Sequence, residues 1–331
     1  MDLPEDQRLK DISPKAYEHP ADRAATAALQ QIPMMDTVVR KLIEFGERSV
    51  AQELLAGAVR LGEDQLPDVW ASHRAALSRL DIEQIPDLYM WQMPFINAMA
   101  IGSKKPVVVL NSGTVAHMDE HELRTVLGHE AGHILSDHTL YRTALFILLR
   151  IGVGPMMRLP FFTGIPLLAI QIALLEWFRA SELTCDRAAT LVNRSPMTTC
   201  QTMMVAAGGA ASRKLSLDAF VKQANEYVDW EPGFDKLTRF SRELMMTHPY
   251  PVRRVSELMN WVRSGEYDRI MAGEYRKRGV KSDPREEAGD AAEFYADRFR
   301  TIFKEAGEGV GKAGDKAGDA ADKLSDWLKQ R

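Results

Sequence analysis

The feature that most constrains this chain is the run Leu127-Gly128-His129-Glu130-Ala131-Gly132-His133. Histidines four residues apart lie one above the other on a helix, so both imidazoles can bind one metal ion. Catalysis by zinc needs three protein ligands, an open position for water, and a nearby carboxylate that takes the proton of that water. The run therefore predicts a helix that supplies two ligands, His129 and His133, and the general base, Glu130.

The same pattern can arise by chance as two solvated histidines on a surface helix. Histidine is scarce here, with 8 in 331 residues, and the run is bordered by the apolar residues Val126, Leu127, Ile134 and Leu135. An apolar border is typical of a buried metal site rather than a solvated face. Asp119 followed by Glu122 has the pattern of a helix start, so we expect the helix to begin near Asp119.

A third ligand is expected from another helix, and residues 180–187 offer two acids at helical spacing, Glu182 and Asp186. In one interpretation Glu182 binds the metal, and Asp186 accepts a hydrogen bond from a ligating histidine. In the other, both acids belong to a solvated face and pair with Arg179 and Arg187. Spacing alone does not choose between the two.

Several separated segments resemble the zinc metallopeptidases that include HtpX-type heat-shock proteases and CAAX prenyl endopeptidases, within the gluzincins. The matching segments lie in the expected order between Pro86 and Glu257. They are an edge strand at 97–102, the next strand at 107–110, the histidine helix with His138, a second helix with Glu182, Asp186 and Arg187, and the pair His248-Pro249.

The resemblance implies one Zn²⁺ per chain, held by His129, His133 and Glu182, with Asp186 supporting a ligand. It also implies that His248 lies near the metal, either as a transition-state donor or as an inhibitory fourth ligand. A loop histidine ahead of the turn at 249–251 is the alternative for His248.

The resemblance further implies that Asn97 and Ala98 bind substrate at an exposed sheet edge, where an extended peptide can add through main-chain hydrogen bonds. His117, His121 and His138 are weaker candidates, and His138 is expected to form hydrogen bonds within the fold. Cys185 is interpreted as a small buried thiol.

The expected fold is α+β and mostly helical, a gluzincin metallopeptidase fold with a small β-sheet beside the zinc helix. Apolar spacing predicts helices at 36–61, 65–80 and within 196–261, and strands at 88–91, 95–101 and 107–110. We divide the chain into an N-terminal helical region (1–80), the peptidase core (81–265), a helical extension (266–306) and a low-complexity amphipathic tail (307–331).

The most apolar part of the chain, residues 144–178, is interrupted by Arg150, Arg158, Gln171 and several Gly and Pro residues. A membrane span needs about 20 predominantly apolar residues. We therefore favour a buried or membrane-contacting helical hairpin over a transmembrane one, which departs from the spanning hairpin of HtpX-type members.

Charge and cysteine content narrow the class of protein. The net charge of -4 provides no basic surface for nucleic acid, and two cysteines, Cys185 and Cys200, give no disulfide framework. The acidic N-terminus does not have the pattern of a secretory signal. We expect a cytoplasmic protein, able to associate with the cytoplasmic face of the membrane, that acts on a protein or peptide.

The function expected from the sequence is that of a zinc-dependent endopeptidase with Glu130 as general base. The alternative is a noncatalytic, zinc-stabilised chaperone-like or membrane-adaptor protein. Structural zinc sites are normally closed by four protein ligands, so His248 or His138 as a permanent fourth ligand would favour the alternative.

Overall fold

The computed structural model describes residues 7–32, 35–162, 165–229 and 249–280, together with Arg300. The longer helices predicted from apolar spacing are confirmed. The tail at 307–331 and most of the extension at 266–306 lie outside the described residues. The helices within the described ranges are α1 (Pro20–Gln30), α2 (Met35–Gly57), α3 (Pro67–Arg79), α4 (Ser112–His117), α5 (Glu120–Leu135), α6 (Thr139–Ile151), α7 (Val153–Met157), α8 (Leu167–Asn193), α9 (Pro196–Gly208), α10 (Leu217–Asp229), α11 (Pro251–Arg263) and α12 (Glu266–Met271).

A four-stranded sheet accompanies the helices, with the strand order β1-β2-β4-β3. The strands are β1 (Val59–Leu61), β2 (Leu88–Trp91), β3 (Ala98–Ile101) and β4 (Val107–Asn111). The β2–β4 pair is parallel, and the β1–β2 and β3–β4 pairs are antiparallel. The predicted fold, mostly helical with a small sheet, is confirmed, and β3 is an edge strand of that sheet.

Two boundaries differ from the sequence prediction. The helix expected over 36–61 ends at Gly57, and Val59–Leu61 pair with β2 instead. Glycine disfavours helix continuation, and the β-branched Val59 gains ladder hydrogen bonds by pairing. The strand expected from Phe95 begins at Ala98, because the main chain of Asn97 bonds to the Thr114 hydroxyl at 2.8 Å.

Two apolar cores share the helix α8. The core around the sheet includes the last third of α8, through Ala188, Leu191 and Val192, and it contains Leu127 and Ala131 of α5. The other core includes the first half of α8, through Ala173, Leu174 and Trp177, packed with side chains of α1, α2 and α6. The segment of α8 between these two stretches carries Glu182 and Asp186, so both acids lie where the two cores meet.

The apolar region predicted as a hairpin forms α6, α7 and the first half of α8. α6 packs against α2, and α8 packs against α1, so much of the apolar surface is covered by the N-terminal helices. Among the described residues, no helix is both long enough and apolar enough to span a membrane.

Candidate metal centre and active site

The helix α5 begins where the sequence predicts. Asp119 caps it by accepting a hydrogen bond from the Glu122 main-chain N–H at 2.9 Å, and the Glu122 carboxylate accepts one from the Asp119 N–H at 2.9 Å. This reciprocal capping box satisfies two donors that a helix start leaves without partners. The helix then carries His129 and His133 into the interior, where they are 8% and 0% exposed.

Two glycines let α5 approach α8 closely. A Cβ added at Gly132 would lie 2.7 Å from Cβ of Ala188, and one added at Gly128 would lie 2.9 Å from Cβ of Val192. Carbon atoms in contact are normally about 3.5–4.0 Å apart, so a larger residue at either position would push the helices apart. The close approach brings the acids of α8 to the histidines of α5.

His129, His133 and Glu182 form a small triangle of side chains, which brings together four donor atoms: the two histidine Nε2 atoms and both carboxylate oxygens of Glu182. The two histidine Nε2 atoms are 3.3 Å apart. Oε1 of Glu182 lies 3.1 Å from Nε2 of His133, and Oε2 lies 3.3 Å from Nε2 of His129. Two ligands bound to tetrahedral zinc at ~2.05 Å are separated by ~3.3 Å, so the three residues fit one zinc ion.

Cys185 is a second candidate for the third ligand, since ligand atoms of His129, His133 and Cys185 lie within 4.8 Å of one another. Its Sγ, however, lies 3.7 Å from Nδ1 of His138. That nitrogen lies next to Nδ1 of His133 and not next to Nε2, the nitrogen of His133 that belongs to the triangle. The carboxylate oxygens of Glu182 lie next to the two histidine Nε2 atoms, so Glu182 is the better candidate for the third ligand.

Asp186 lies behind His129, with Oδ1 at 3.1 Å from the histidine Nδ1. Arg254 of α11 binds this carboxylate with two nitrogens, Nε at 2.8 Å from Oδ2 and Nη2 at 2.5 Å from Oδ1. Burial alone would raise the pKa of Asp186, but the Arg254 guanidinium outweighs it and holds the pKa below its ordinary value. The carboxylate is therefore ionised and accepts a hydrogen bond from the Nδ1–H of His129. Nε2 of His129 is then without a proton and faces Glu182.

Glu130 lies beside the triangle and is 3% exposed. Its Oε2 accepts a hydrogen bond from the Ala100 main-chain N–H at 2.6 Å and from Nη1 of Arg142 at 2.7 Å. The Arg142 guanidinium also lies 5.1 Å from the ring centroid of Phe178. The edge strand β3 and helix α6 thus fix the orientation of the Glu130 carboxylate through one of its oxygens.

Arg142 and Arg254 were not predicted from the sequence. Each pairs with a carboxylate from a different helix, so no local spacing connects the partners. One signal was available for both: a buried carboxylate needs a cation or several hydrogen-bond donors, so an acid placed in the interior implies a partner elsewhere in the chain.

A cleft of about 270 Å³ opens over the triangle. Asn97 and Ala98 of the edge strand lie along it, together with His129, Glu130 and Glu182. Pro249 and Pro251 line it as well, whereas His248 lies outside the described residues. Asp186 is also among the residues that line the cleft, whereas His133 is fully buried and does not line it.

Comparison with known proteins identifies the family of the chain. The profile of peptidase family M48 matches residues 63–262. The chain is 33% identical over 279 residues to a plastoglobule-localized metallopeptidase 48, chloroplastic, from Arabidopsis thaliana; the alignment covers 82% of this chain and 80% of the relative. No solved structure matches significantly. Since the family profile covers more than half of the chain, the protein belongs to peptidase family M48 and is a metallopeptidase.

Proposed function

We propose that this metallopeptidase is a zinc-dependent endopeptidase with the gluzincin fold, in the branch of the HtpX-type proteases and CAAX prenyl endopeptidases. The observation that carries the proposal is the triangle of His129, His133 and Glu182, with edges of 3.1–3.3 Å, beside a carboxylate in an open cleft. These distances match the spacing of donors around one tetrahedral zinc ion.

The chain's own residues prepare the metal site. Asp186 accepts a hydrogen bond from the Nδ1–H of His129, which fixes the tautomer whose Nε2 lone pair points into the triangle. Arg254 compensates the negative charge of Asp186. When bound, zinc supplies Lewis-acid chemistry, polarising a carbonyl and lowering the pKa of water.

Glu130 is proposed as the general base. Its Oε2 is held by Ala100 and Arg142, and the carboxylate lines the same cleft as the triangle. It would take a proton from the attacking water and later deliver that proton to the leaving amine. Both hydrogen bonds end on Oε2, so they orient the Glu130 carboxylate before substrate enters.

The edge strand β3 is proposed as the substrate-binding strand. The main-chain groups of Asn97 face β4, and its carbonyl accepts a hydrogen bond from the Asn111 N–H at 3.0 Å. Alternate residues of a strand direct their main-chain groups to opposite sides, so Ala98 directs its groups away from β4. The Ala98 carbonyl accepts a hydrogen bond from Nη2 of Arg142 at 3.5 Å. An extended peptide that adds to this strand would therefore pair with the Ala98 N–H. His248, which lies outside the described residues, is proposed as a transition-state donor.

The relative named above is described as plastoglobule-localized. For this chain we propose a site of action next to a lipid surface, reached through its apolar hairpin region and its tail. We propose that this site of action is the cytoplasmic face of a membrane.

Casein cleavage by zinc-loaded protein, with a chelated sample as control, tests the proposed activity. Glu130→Gln should abolish cleavage and retain zinc, because Glu130 is a base and not a ligand. Glu120→Gln is the matched control, since Glu120 lies on the same helix and is exposed; it should cleave casein as the wild type does. An active Glu130→Gln protein would contradict the mechanism, and a wild type that binds zinc without cleaving would favour the noncatalytic alternative.

A further inference from the structure

Behind His133, a chain of hydrogen bonds leads away from the metal position to the N-terminal helix. Nδ1 of His133 lies 3.2 Å from Nδ1 of His138. Nε2 of His138 lies 3.1 Å from Oδ2 of Asp22. Asp22 belongs to α1, which precedes the residues that match the family profile.

Only one arrangement of protons satisfies both hydrogen bonds that connect His133, His138 and Asp22. If Nε2 of His133 is a ligand, its proton is on Nδ1 and must be donated to His138. Nδ1 of His138 then accepts, so the single proton of a neutral His138 is on Nε2. That proton is donated to Asp22, whose carboxylate can only accept. The ionised carboxylate of Asp22 therefore determines which ring nitrogen carries the proton in His138 and in His133.

Asp22 is built into the interior for this contact. It is 0% exposed, and its oxygens accept hydrogen bonds from the hydroxyls of Thr184, at 2.6 Å, and Thr26, at 3.3 Å. A buried carboxylate is costly unless it is ionised against a partner or fully hydrogen-bonded. The partners come from both α1 and α8, so the carboxylate is fixed relative to the metal helices.

The two histidine ligands are supported in parallel ways. His129 reaches Asp186 directly, whereas His133 reaches Asp22 through His138. Nδ1 of His138 contacts His133, and Nε2 of His138 contacts Asp22. His138 therefore supports the ligand His133 and does not face the metal position.

We propose that Asp22 is a positioning residue of the metal centre: through His138 it fixes the tautomer and the orientation of the ligand His133. The inference rests on the proposed zinc site. It makes α1 part of the metal centre, although no residue of α1 lines the cleft.

The test is the zinc dissociation constant, measured by competition with a chromophoric chelator. Asp22→Asn keeps the size of the side chain and removes its charge, and it should weaken zinc binding by ~10–100-fold, as loss of a carboxylate behind a ligand does. Asp68→Asn is the matched control, because it makes the same chemical change at an exposed residue of α3. It should leave the dissociation constant within about twofold of the wild type.

A double-variant cycle separates positioning from a merely structural role. If Asp22 acts through His138, Asp22→Asn should add no further weakening to a His138→Phe protein. Additive losses would overturn the proposal, and so would an unchanged dissociation constant in Asp22→Asn while wild type binds zinc tightly. A wild type that binds no zinc would overturn the proposed metal site itself and this inference with it.

A measurement on the wild type alone guards against a variant that fails to fold. In ¹⁵N-histidine NMR spectra of the zinc-loaded protein, His138 should carry its proton on Nε2 and His133 on Nδ1. A proton on Nδ1 of His138 would overturn the proposal.

Discussion

Glu130 and Asp186 are buried carboxylates that each lie against one guanidinium, those of Arg142 and Arg254. Removing a carboxylate from water is expensive, and a nearby cation offsets part of that cost. Each arginine therefore holds its carboxylate at one orientation, Glu130 beside the cleft and Asp186 behind His129. At the scale of single residues, the chemistry of the site depends on these pairs as much as on the ligands.

Arg142→Met tests the pair at the proposed base. Met retains the apolar length of the side chain and leaves the Glu130 carboxylate buried without its cation, so we expect a loss of about 3–5 kcal/mol in the free energy of unfolding. Equilibrium urea denaturation measures the loss. The double variant Glu130→Gln/Arg142→Met should recover most of it, because no uncompensated charge remains. If the single variant were as stable as the wild type, the pair would have no energetic role.

Variants of the two acids on α8 separate a ligand from its support. Glu182→Ala should empty the site, because it removes one of three ligands, whereas Asp186→Asn should weaken zinc binding by ~10–100-fold. Glu176→Gln, on the same helix, is the control and should keep its zinc. Metal content and chelator competition decide the matter, and the reverse order of effects would exchange the roles of the two acids.

The residues of the site differ in how far the sequence reveals them. His129, Glu130 and His133 follow from one helix, because their spacing alone brings them to neighbouring positions. Glu182 needed the family resemblance, since its partners lie on another helix. Arg142, Arg254 and Asp22 could not be found from spacing, because each meets the site only after distant helices pack together.

At the scale of elements, the packing of α5 against α8 determines whether the ligands meet. Gly132 and Gly128 on α5 face Ala188 and Val192 on α8. A shift of α8 by a fraction of an ångström would move Glu182 relative to both histidines. The glycines of the motif thus serve the geometry of the site through helix packing.

Gly132→Ala tests this contact. The added Cβ would lie 2.7 Å from Cβ of Ala188, so we expect a loss of about 1–3 kcal/mol in stability, together with weaker zinc binding. Ala188→Gly in the same protein should restore part of both. Gly57→Ala is the control, because an added Cβ there meets nothing within 4 Å. Tight zinc binding by a stable Gly132→Ala protein would show that the helices can separate without disturbing the ligands.

Some elements follow from local signals and others do not. The start of α5 was predictable because Asp119 and Glu122 form a capping box from residues three apart. The strand β1 was not, because three residues carry little periodicity and Val59–Leu61 become a strand only by pairing with β2.

At the scale of the whole molecule, the N-terminal helices and the apolar region 144–178 form one core. The sequence shows the apolar segment but not what covers it, so a membrane-contacting hairpin and a buried one looked alike. α1 and α2 supply much of that cover. Some large apolar side chains of the region remain exposed: Leu149, Met157 and Leu168 are 40%, 44% and 51% accessible.

We expect the protein to associate reversibly with a lipid surface through these side chains, aided by the tail at 307–331, which lies outside the described residues. Surface docking buries one apolar face without spanning the bilayer, so carbonate extraction should reverse it. Leu149→Gln/Leu168→Gln should shift the protein from the membrane fraction to the supernatant, and Met197→Gln, an exposed apolar residue on α9, should not. A protein that stays in the carbonate pellet and requires detergent would contradict surface docking.

The central claim is that His129, His133 and Glu182 hold the zinc, and X-ray absorption at the zinc edge of the loaded protein tests it most directly. Nitrogen and oxygen ligands lie ~2.0–2.2 Å from zinc, whereas a thiolate sulfur lies ~2.3 Å away and scatters more strongly. The expected spectrum contains nitrogen and oxygen neighbours alone, with the multiple scattering of two imidazoles. A sulfur neighbour would assign the third position to Cys185 and contradict the account.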